Sequence, residues 1–373
     1  MGDYQMILLS SVINPFEADF LNTYQGQVLP GQLKALSALK LCRTKFSPVM
    51  QVNCIDCDHQ TFVPHSCGHR NCPHCQHHES QLWIENQLKK QLPGSYFMIT
   101  FTLPAQLRPL AWDHQKLVYR LMFECVWQTL QTFSRNDKKL RGDPGIIAVL
   151  HTHSRKLDYH PHLHTVMPAT VVDRLNEMTR TKHGKYLFNH KALAKVFRGK
   201  LVSKLAKENL ILPKAIPQKW VVNCKQVGAG DKALIYLGRY LYRGVIREKD
   251  ILSIQDGKVT FRYQNSDTKR WETRTETGAK FLWLVLQHIL PTGFRRARNY
   301  GFLHPNSKVL INILQCLGKL NPKKIVAKIG LRQRPHLICE CCGGKMEVNR
   351  TRIPVAETLG LGANMNMQNL VLT

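Results

Sequence analysis

Acidic residues are scarce in this chain. Its 373 residues carry 25 Asp and Glu against 53 Lys and Arg, for a formal net charge of +28. Such a one-sided balance makes a polyanionic partner the first expectation, nucleic acid the commonest. Long apolar runs are also missing: nothing approaches the ~20 consecutive apolar residues of a membrane span. The opening "MGDYQMILLSSVINPFEADF" has a short apolar run, but no basic residues precede it and acidic ones flank it. A signal peptide is therefore not expected, and the chain is placed in the cytoplasm, associated with the nucleoid. There is no internal repeat and no low-complexity linker. With 43% hydrophobic residues the chain has enough apolar surface to fold as a globular protein.

Cysteine is not scarce, but the spread expected of a disulfide framework is. Of the 12 cysteines, five lie between Cys54 and Cys75 and three between Cys339 and Cys342. In a reducing compartment such clusters read as metal sites. "CIDC" (Cys54, Cys57) and "CPHC" (Cys72, Cys75) are two Cys-x2-Cys knuckles separated by 14 residues. That spacing predicts a zinc ribbon, because a two-residue gap lets both thiolates of a turn face one ion. Cys67 either replaces one of the four or joins a second ion. The histidines around it, His59, His65, His69, His74, His77 and His78, read mostly as a solvated basic loop. "CECCGG" carries Cys339-x2-Cys342 with no second knuckle nearby, so it is either half of a site completed from elsewhere or a pair of free thiols.

Hydrophobic periodicity predicts helix within the first 50 residues, a strand over 94–104 and a long amphipathic helix over 111–133. "GIIAVLHTHS" (145–154) and "DYHPHLHTVM" (158–167) read as two strands joined by a short polar connection, hence an antiparallel hairpin. A basic helix at 189–210, a strand at 219–227 and a helix at 231–246 follow, then a second hairpin, a helix at 278–289 and the basic turn "PTGFRRARNYG". The order implies an α+β fold with an antiparallel sheet flanked by helices. Four segments are expected: an N-terminal helical segment (1–50), a zinc-binding domain (51–90), a catalytic domain (91–250) and a C-terminal DNA-binding or accessory region (251–373).

Alternate residues of a strand share a face, so His160, His162 and His164 point the same way. With His151 and His153 on the partner strand, this density of imidazoles favours a bound divalent ion over chance. Such an ion either activates water or polarises a phosphodiester that a side chain attacks. The second course needs a nucleophile, and "YLGRYLYRGVI" offers Tyr236 and Tyr240, one helical turn apart on one face. Arg239 and Arg243 form a stripe beside them suited to phosphate, and Arg295, Arg296 and Arg298 add a second basic cluster. Taken alone, the tyrosine pair would read as core packing. Beside the histidines and the net charge it reads as chemistry.

Together, "SCGHRNCPHCQ" (66–76), "VLHTHSRKLDYHPHLHTVMP" (149–168), "YLGRYLYRGVI" (236–246) and "HILPTGFRRARNYGFL" (288–303) resemble the IS91-like group of HUH rolling-circle transposases, which have two tyrosines and an N-terminal zinc-binding domain. The resemblance runs from about residue 40 to 345. It implies an HUH-endonuclease core in which His162 and His164 hold Mg²⁺ or Mn²⁺, beside a structural Zn²⁺. It further implies that Tyr236 and Tyr240 attack single-stranded DNA at the element ends and the target, leaving 5′-phosphotyrosine links. Related single-tyrosine enzymes take a third ligand, a glutamine, from the tyrosine helix. Here Tyr240 and Gly244 stand four residues after the tyrosines, and His151 is the candidate instead; His153 stands where the family has tryptophan. Tyr242 lies off the shared face and is given no catalytic part. Alternatives are a plasmid replication initiator or relaxase of the same chemistry, a non-catalytic zinc-ribbon DNA-binding regulator, and a zinc hydrolase. Trp220, Tyr263 and Trp271 are available for base stacking, although core packing is the simpler reading of each.

Overall fold

A computed structural model of the chain describes residues 7–44, 46–72, 75–173, 178–242, 245–265, 268–318 and 337–354. In chain order the elements begin with α1 (Leu9–Thr23), α2 (Pro30–Leu41), β1 (Val49–Cys54), β2 (Gln60–Pro64), α3 (His77–Leu88) and β3 (Tyr96–Thr102). There follow α4 (Arg108–Asp113), α5 (Gln115–Asn136), β4 (Asp143–His153), β5 (Tyr159–Pro168), β6 (Thr170–Asp173), β7 (Met178–Thr181), α6 (His190–Lys207), β8 (Val222–Gln226) and α7 (Asp231–Tyr242). The last are β9 (Ile251–Gln255), β10 (Lys258–Gln264), β11 (Trp271–Thr277), α8 (Gly278–Leu286), β12 (Ala297–Gly301), α9 (Lys308–Leu317), β13 (Leu337–Ile338) and β14 (Lys345–Ile353). The fold is α+β, with antiparallel sheets flanked by helices.

Two compact units form. One comprises Met1–Glu79, Tyr242–Ile289 and Leu331–Thr373; the other, Ser80–Leu241 and Leu290–Gly330. The expected segment 251–373 is thus shared between both, and the residues on either side of the expected 50/51 boundary fall in one.

The second unit carries a sheet ordered β7-β6-β4-β5-β3-β8, with β12 also paired to β4. Every pairing is antiparallel, and β4 and β5 form the expected hairpin. Period-two alternation gives the sheet two different faces. Phe97, Ile99 and Phe101 of β3, Ile146, Ala148 and Leu150 of β4, and Leu163 and Met167 of β5 are buried on one face, against Val118, Met122 and Leu130 of α5 and Leu193, Phe197 and Leu201 of α6. The intervening residues, His151, His162 and His164 among them, are left for the opposite face.

In the first unit α1, α2 and α8 enclose Val12, Ile13, Phe16, Leu36, Phe281 and Leu282, all buried. Gly278 opens α8 where a Cβ would collide with the Phe16 ring, so the close approach of α8 to α1 requires glycine. Gln32 ties the same helices by accepting from Leu29 N–H at 2.8 Å and donating to the Leu286 carbonyl at 3.0 Å. The unit also holds two antiparallel sheets, β9-β10-β11 and β13-β14-β1-β2. No helix among the described residues is long and apolar enough to cross a membrane.

Candidate metal centre and tyrosine pair

The histidine cluster is set by strand register. His151 of β4 lies directly opposite His162 of β5, and Val149 opposite His164. One atom from each of His151, His162 and His164 lies within 4.8 Å of the others. Ring centroids are 5.1 Å apart for His151 and His162, 4.3 Å for His151 and His164, and 4.9 Å for His162 and His164. His153 and His160 stay outside the cluster. A register shift follows His151, so His153 pairs with Tyr159, and His160 Nδ1 accepts from the Arg108 guanidinium.

Hydrogen bonds fix how the imidazoles present themselves. His162 Nδ1 lies 2.6 Å from the His160 carbonyl, which can only accept, so Nδ1 carries the proton and Nε2 keeps its lone pair. His164 Nδ1 is 2.9 Å from Thr100 Oγ1 on β3, a hydroxyl that can donate or accept, so this contact orients the second ring without fixing which nitrogen carries its proton. Thr100 was invisible to motif reading because an isolated threonine in an apolar strand carries no signal. The three imidazoles fit a divalent ion. With no carboxylate in the cluster among the described residues, the donor set suits Mn²⁺ better than Mg²⁺.

Burial pushes His162 down to about 4 and His164 down to about 3, from an ordinary 6.5. Both rings are therefore neutral and able to ligate above about pH 5. In the unfolded chain the same residues take up protons near 6.5, while the folded ones resist until 3–4. Stability of the metal-free protein should accordingly fall as pH drops from about 7, by about 2 kcal/mol per histidine at pH 5. Thermal melts across that range test this, and His162→Gln/His164→Gln should flatten the slope.

Helix α7 brings the tyrosines to the histidines. The Tyr240 ring stacks on His151 with centroids 3.3 Å apart and planes 7° off parallel. Tyr236 stands 6.0 Å from His164 and 6.2 Å from His151, edge-on to the first. Burial raises both hydroxyls, Tyr240 to about 12, against the pull of Arg296 and of the Thr152 and His153 backbone amides. Tyr236 is 42% exposed, and Arg155 lowers its hydroxyl against the rise from burial. Arg155 was also missed in the sequence; its cue is its place in the turn linking the two histidine strands.

The back of α7 is held by close packing. Ser80 Oγ donates to the Gly238 carbonyl at 3.0 Å, and a Cβ on Gly238 would collide with Ile84 and Trp83 of α3. Alanine at 238 gains about 1 kcal/mol of helix propensity but overpacks the contact by about 1–3 kcal/mol. Gly238→Ala is thus expected to lower stability by roughly 1 kcal/mol, read by thermal unfolding.

The arginines are dispersed. Arg239 and Arg295 are exposed, whereas Arg296 is buried and donates to the Leu241 carbonyl at 3.4 Å. Arg298 lies over Phe123 and Phe294, at 4.4 and 5.2 Å. Arg243 lies outside the described residues, as does the side chain of Tyr242. Of the aromatic candidates, Trp220 is buried in the core and Tyr263 donates to Glu272 at 2.6 Å. Trp271 is exposed, with the Arg262 guanidinium 5.1 Å from its ring.

The cysteines sort differently from the expected ribbon. Cys72 and Cys75 gather with Cys67 and Cys42, while Cys54 and Cys57 gather with Cys339 and Cys342. The two knuckles expected to share an ion thus belong to separate clusters. The cause is the pairing of β1 with β14, which sets Cys54 opposite Met346 and brings the "CECC" turn alongside the first knuckle. Cys42, the residue after α2, was not anticipated, since a single cysteine at a helix end carries no knuckle spacing. Its Sγ lies 3.5 Å from both Cys72 Sγ and Cys75 Sγ. Cys67 N–H donates to Cys75 Sγ. Sulfur-to-sulfur hydrogen bonding, that with Cys42 foremost, holds Cys75 far below the ordinary thiol range, the side toward the thiolate a zinc ion binds.

Two sequence profiles match the chain: "Transposase zinc-binding domain" over residues 12–103 and "Putative transposase" over residues 145–309. The first spans Cys42, Cys54, Cys57, Cys67, Cys72 and Cys75, and supports structural zinc. The second spans the histidines and the tyrosines. A protein of Sinorhizobium fredii named "Putative transposase y4qJ" is 32% identical over 297 residues, covering 73% of this chain and 74% of that protein. The transposase for insertion sequence element IS801 of Pseudomonas savastanoi pv. phaseolicola is 25% identical over 376 residues, covering 92% of this chain and 89% of that protein. The chain belongs to the IS91-like transposases that carry an N-terminal zinc-binding domain.

Proposed function

We propose that this transposase cuts and rejoins single-stranded DNA through 5′-phosphotyrosine intermediates, in rolling-circle transposition of an insertion sequence. The observation that carries the reading is the seating of Tyr236 and Tyr240 beside the His151, His162 and His164 cluster. A tyrosine Oη forms a bond to phosphorus and gives up its proton, while the bond to the 3′ oxygen breaks and that oxygen leaves as a hydroxyl. The phosphotyrosine ester conserves the energy of the broken bond, so a free 3′-hydroxyl can reverse the step. Mn²⁺ or Mg²⁺ held by the three histidines would supply charge neutralisation at the scissile phosphate.

The chain's own groups account for the remainder. Exposed Arg239 and Arg295, with Arg155 near Tyr236, are suited to hold the DNA backbone. A second tyrosine allows a second strand transfer without release of the first end. The test is incubation with labelled single-stranded oligonucleotides carrying the element's ends, with and without Mn²⁺. A metal-dependent adduct resistant to denaturant is expected. Its absence on every end sequence, or its survival in the Tyr236→Phe/Tyr240→Phe double variant, would overturn the reading.

A further inference from the structure

The cluster of Cys54, Cys57, Cys339 and Cys342 lies partly outside the residues matched by the zinc-binding profile, which end at 103. Its sulfurs all lie within 4.8 Å of one another, with Cys54 to Cys342 at 3.4 Å and Cys57 to Cys339 at 3.7 Å. Tetrahedral zinc with Zn–S bonds of about 2.3 Å sets its sulfurs roughly 3.8 Å apart, so these separations suit one ion.

Both turns are built alike. In each knuckle a backbone N–H two residues beyond a cysteine donates to its sulfur: Asp56 to Cys54 and Gly344 to Cys342, both at 3.4 Å. Such amides stabilise thiolate over thiol, as a metal site needs and a pair of idle thiols does not. The glycines of "CECCGG" belong to the same construction. Gly343 has φ +73°, and a Cβ on Gly344 would collide with the Asp56 carboxylate across the gap between the turns.

The sheet around the site has almost no core of its own. Beyond the sulfurs, Val52 and Met346 are the buried side chains of its cluster, and most of β14 is exposed. Modules this thin are ordinarily held by a metal. We infer that Cys54, Cys57, Cys339 and Cys342 bind a second Zn²⁺, forming a ribbon split between the two ends of the chain. Its first knuckle closes the β1–β2 hairpin and its second closes the β13–β14 hairpin. The ion thereby fastens the C-terminal hairpin to the N-terminal zinc-binding region.

The test uses the full-length protein and no DNA, so its outcome is separate from that of the nicking assay. Native mass spectrometry should show two zinc ions per chain in the wild type, two in Cys341→Ser and one in Cys339→Ser/Cys342→Ser. A wild type with one zinc, or with a disulfide among these four cysteines, would sink the proposal, as would an unchanged count in the double variant. Should that variant not fold, alkylation of the wild type decides. Cys341 and Cys342 are adjacent and both exposed, so the reagent reaches either thiol without a change of fold. Zinc at Cys342 should slow its alkylation about tenfold or more relative to Cys341 until a chelator is added. Equal rates before chelation would refute the site.

Discussion

Tyr236→Phe should abolish the first covalent adduct with DNA, at a rate loss of about 1000-fold or more, while Tyr240→Phe should still form it. The two phenols sit in unequal surroundings although they share a helix face. Tyr236 is partly exposed, and Arg155 pulls its hydroxyl down against the rise from burial. Tyr240 is stacked flat on His151, and burial carries its hydroxyl up to about 12. Exposure and the nearby Arg155 make Tyr236 the expected first nucleophile of the proposed reaction. Tyr240 must leave its stack on His151 before it can act, which suits the second transfer. A 3′-labelled oligonucleotide, whose label stays on the fragment joined to tyrosine, scored for denaturant-resistant adduct in each single variant reads the order directly. Loss in Tyr240→Phe with retention in Tyr236→Phe would reverse it.

The catalytic candidates were legible because their chemistry repeats at the period of their own element. Histidines at every second position of β5 must share a face, and tyrosines four apart in α7 must share another. Which histidines converge was less accessible, since it depends on register. The direct pairing of His151 with His162, and the shift that sends His153 to Tyr159, are properties of two strands rather than one. The basic stretch misled for a related reason. "RRARNYG" was read as a turn, but from Ala297 it is strand β12 on the edge of β4, with Arg298 opposite Ala148. Its arginines therefore divide between exposed Arg295, buried Arg296 and the stacked Arg298. The zinc ligands were the least legible. All Cys-x2-Cys knuckles look alike in sequence, and the entropic cost of closing a longer loop grows only logarithmically, so a near partner has little advantage over a far one. The β1–β14 pairing decides it, joining Cys54 to a knuckle that begins at Cys339.

Cys42→Ser carries the largest expected cost to stability. Cys42 reaches Cys72 and Cys75 from the end of α2, and so links a helix of the first unit to the loop that bears the rest of the cluster. Structural zinc sites contribute about 10–16 kcal/mol of apparent binding free energy, whereas a whole domain is stable by about 5–15 kcal/mol. Loss of even a third of that contribution therefore rivals the net stability of the unit. Three thiolates can retain some zinc with water as the fourth ligand, so the expected result is weakened binding together with a transition lowered by about 10 °C or more. Buried Cys125 provides the comparison, since it lies in the core beside α5 neighbours and belongs to neither cysteine cluster. Cys125→Ser should keep the full zinc content and lose only the about 1–3 kcal/mol that burying a hydroxyl in the apolar core costs. Zinc assay after dialysis against a weak chelator, paired with thermal unfolding, separates the two cases. If Cys42→Ser kept its zinc through dialysis and melted like wild type, the fourth ligand would have to come from elsewhere than the end of α2.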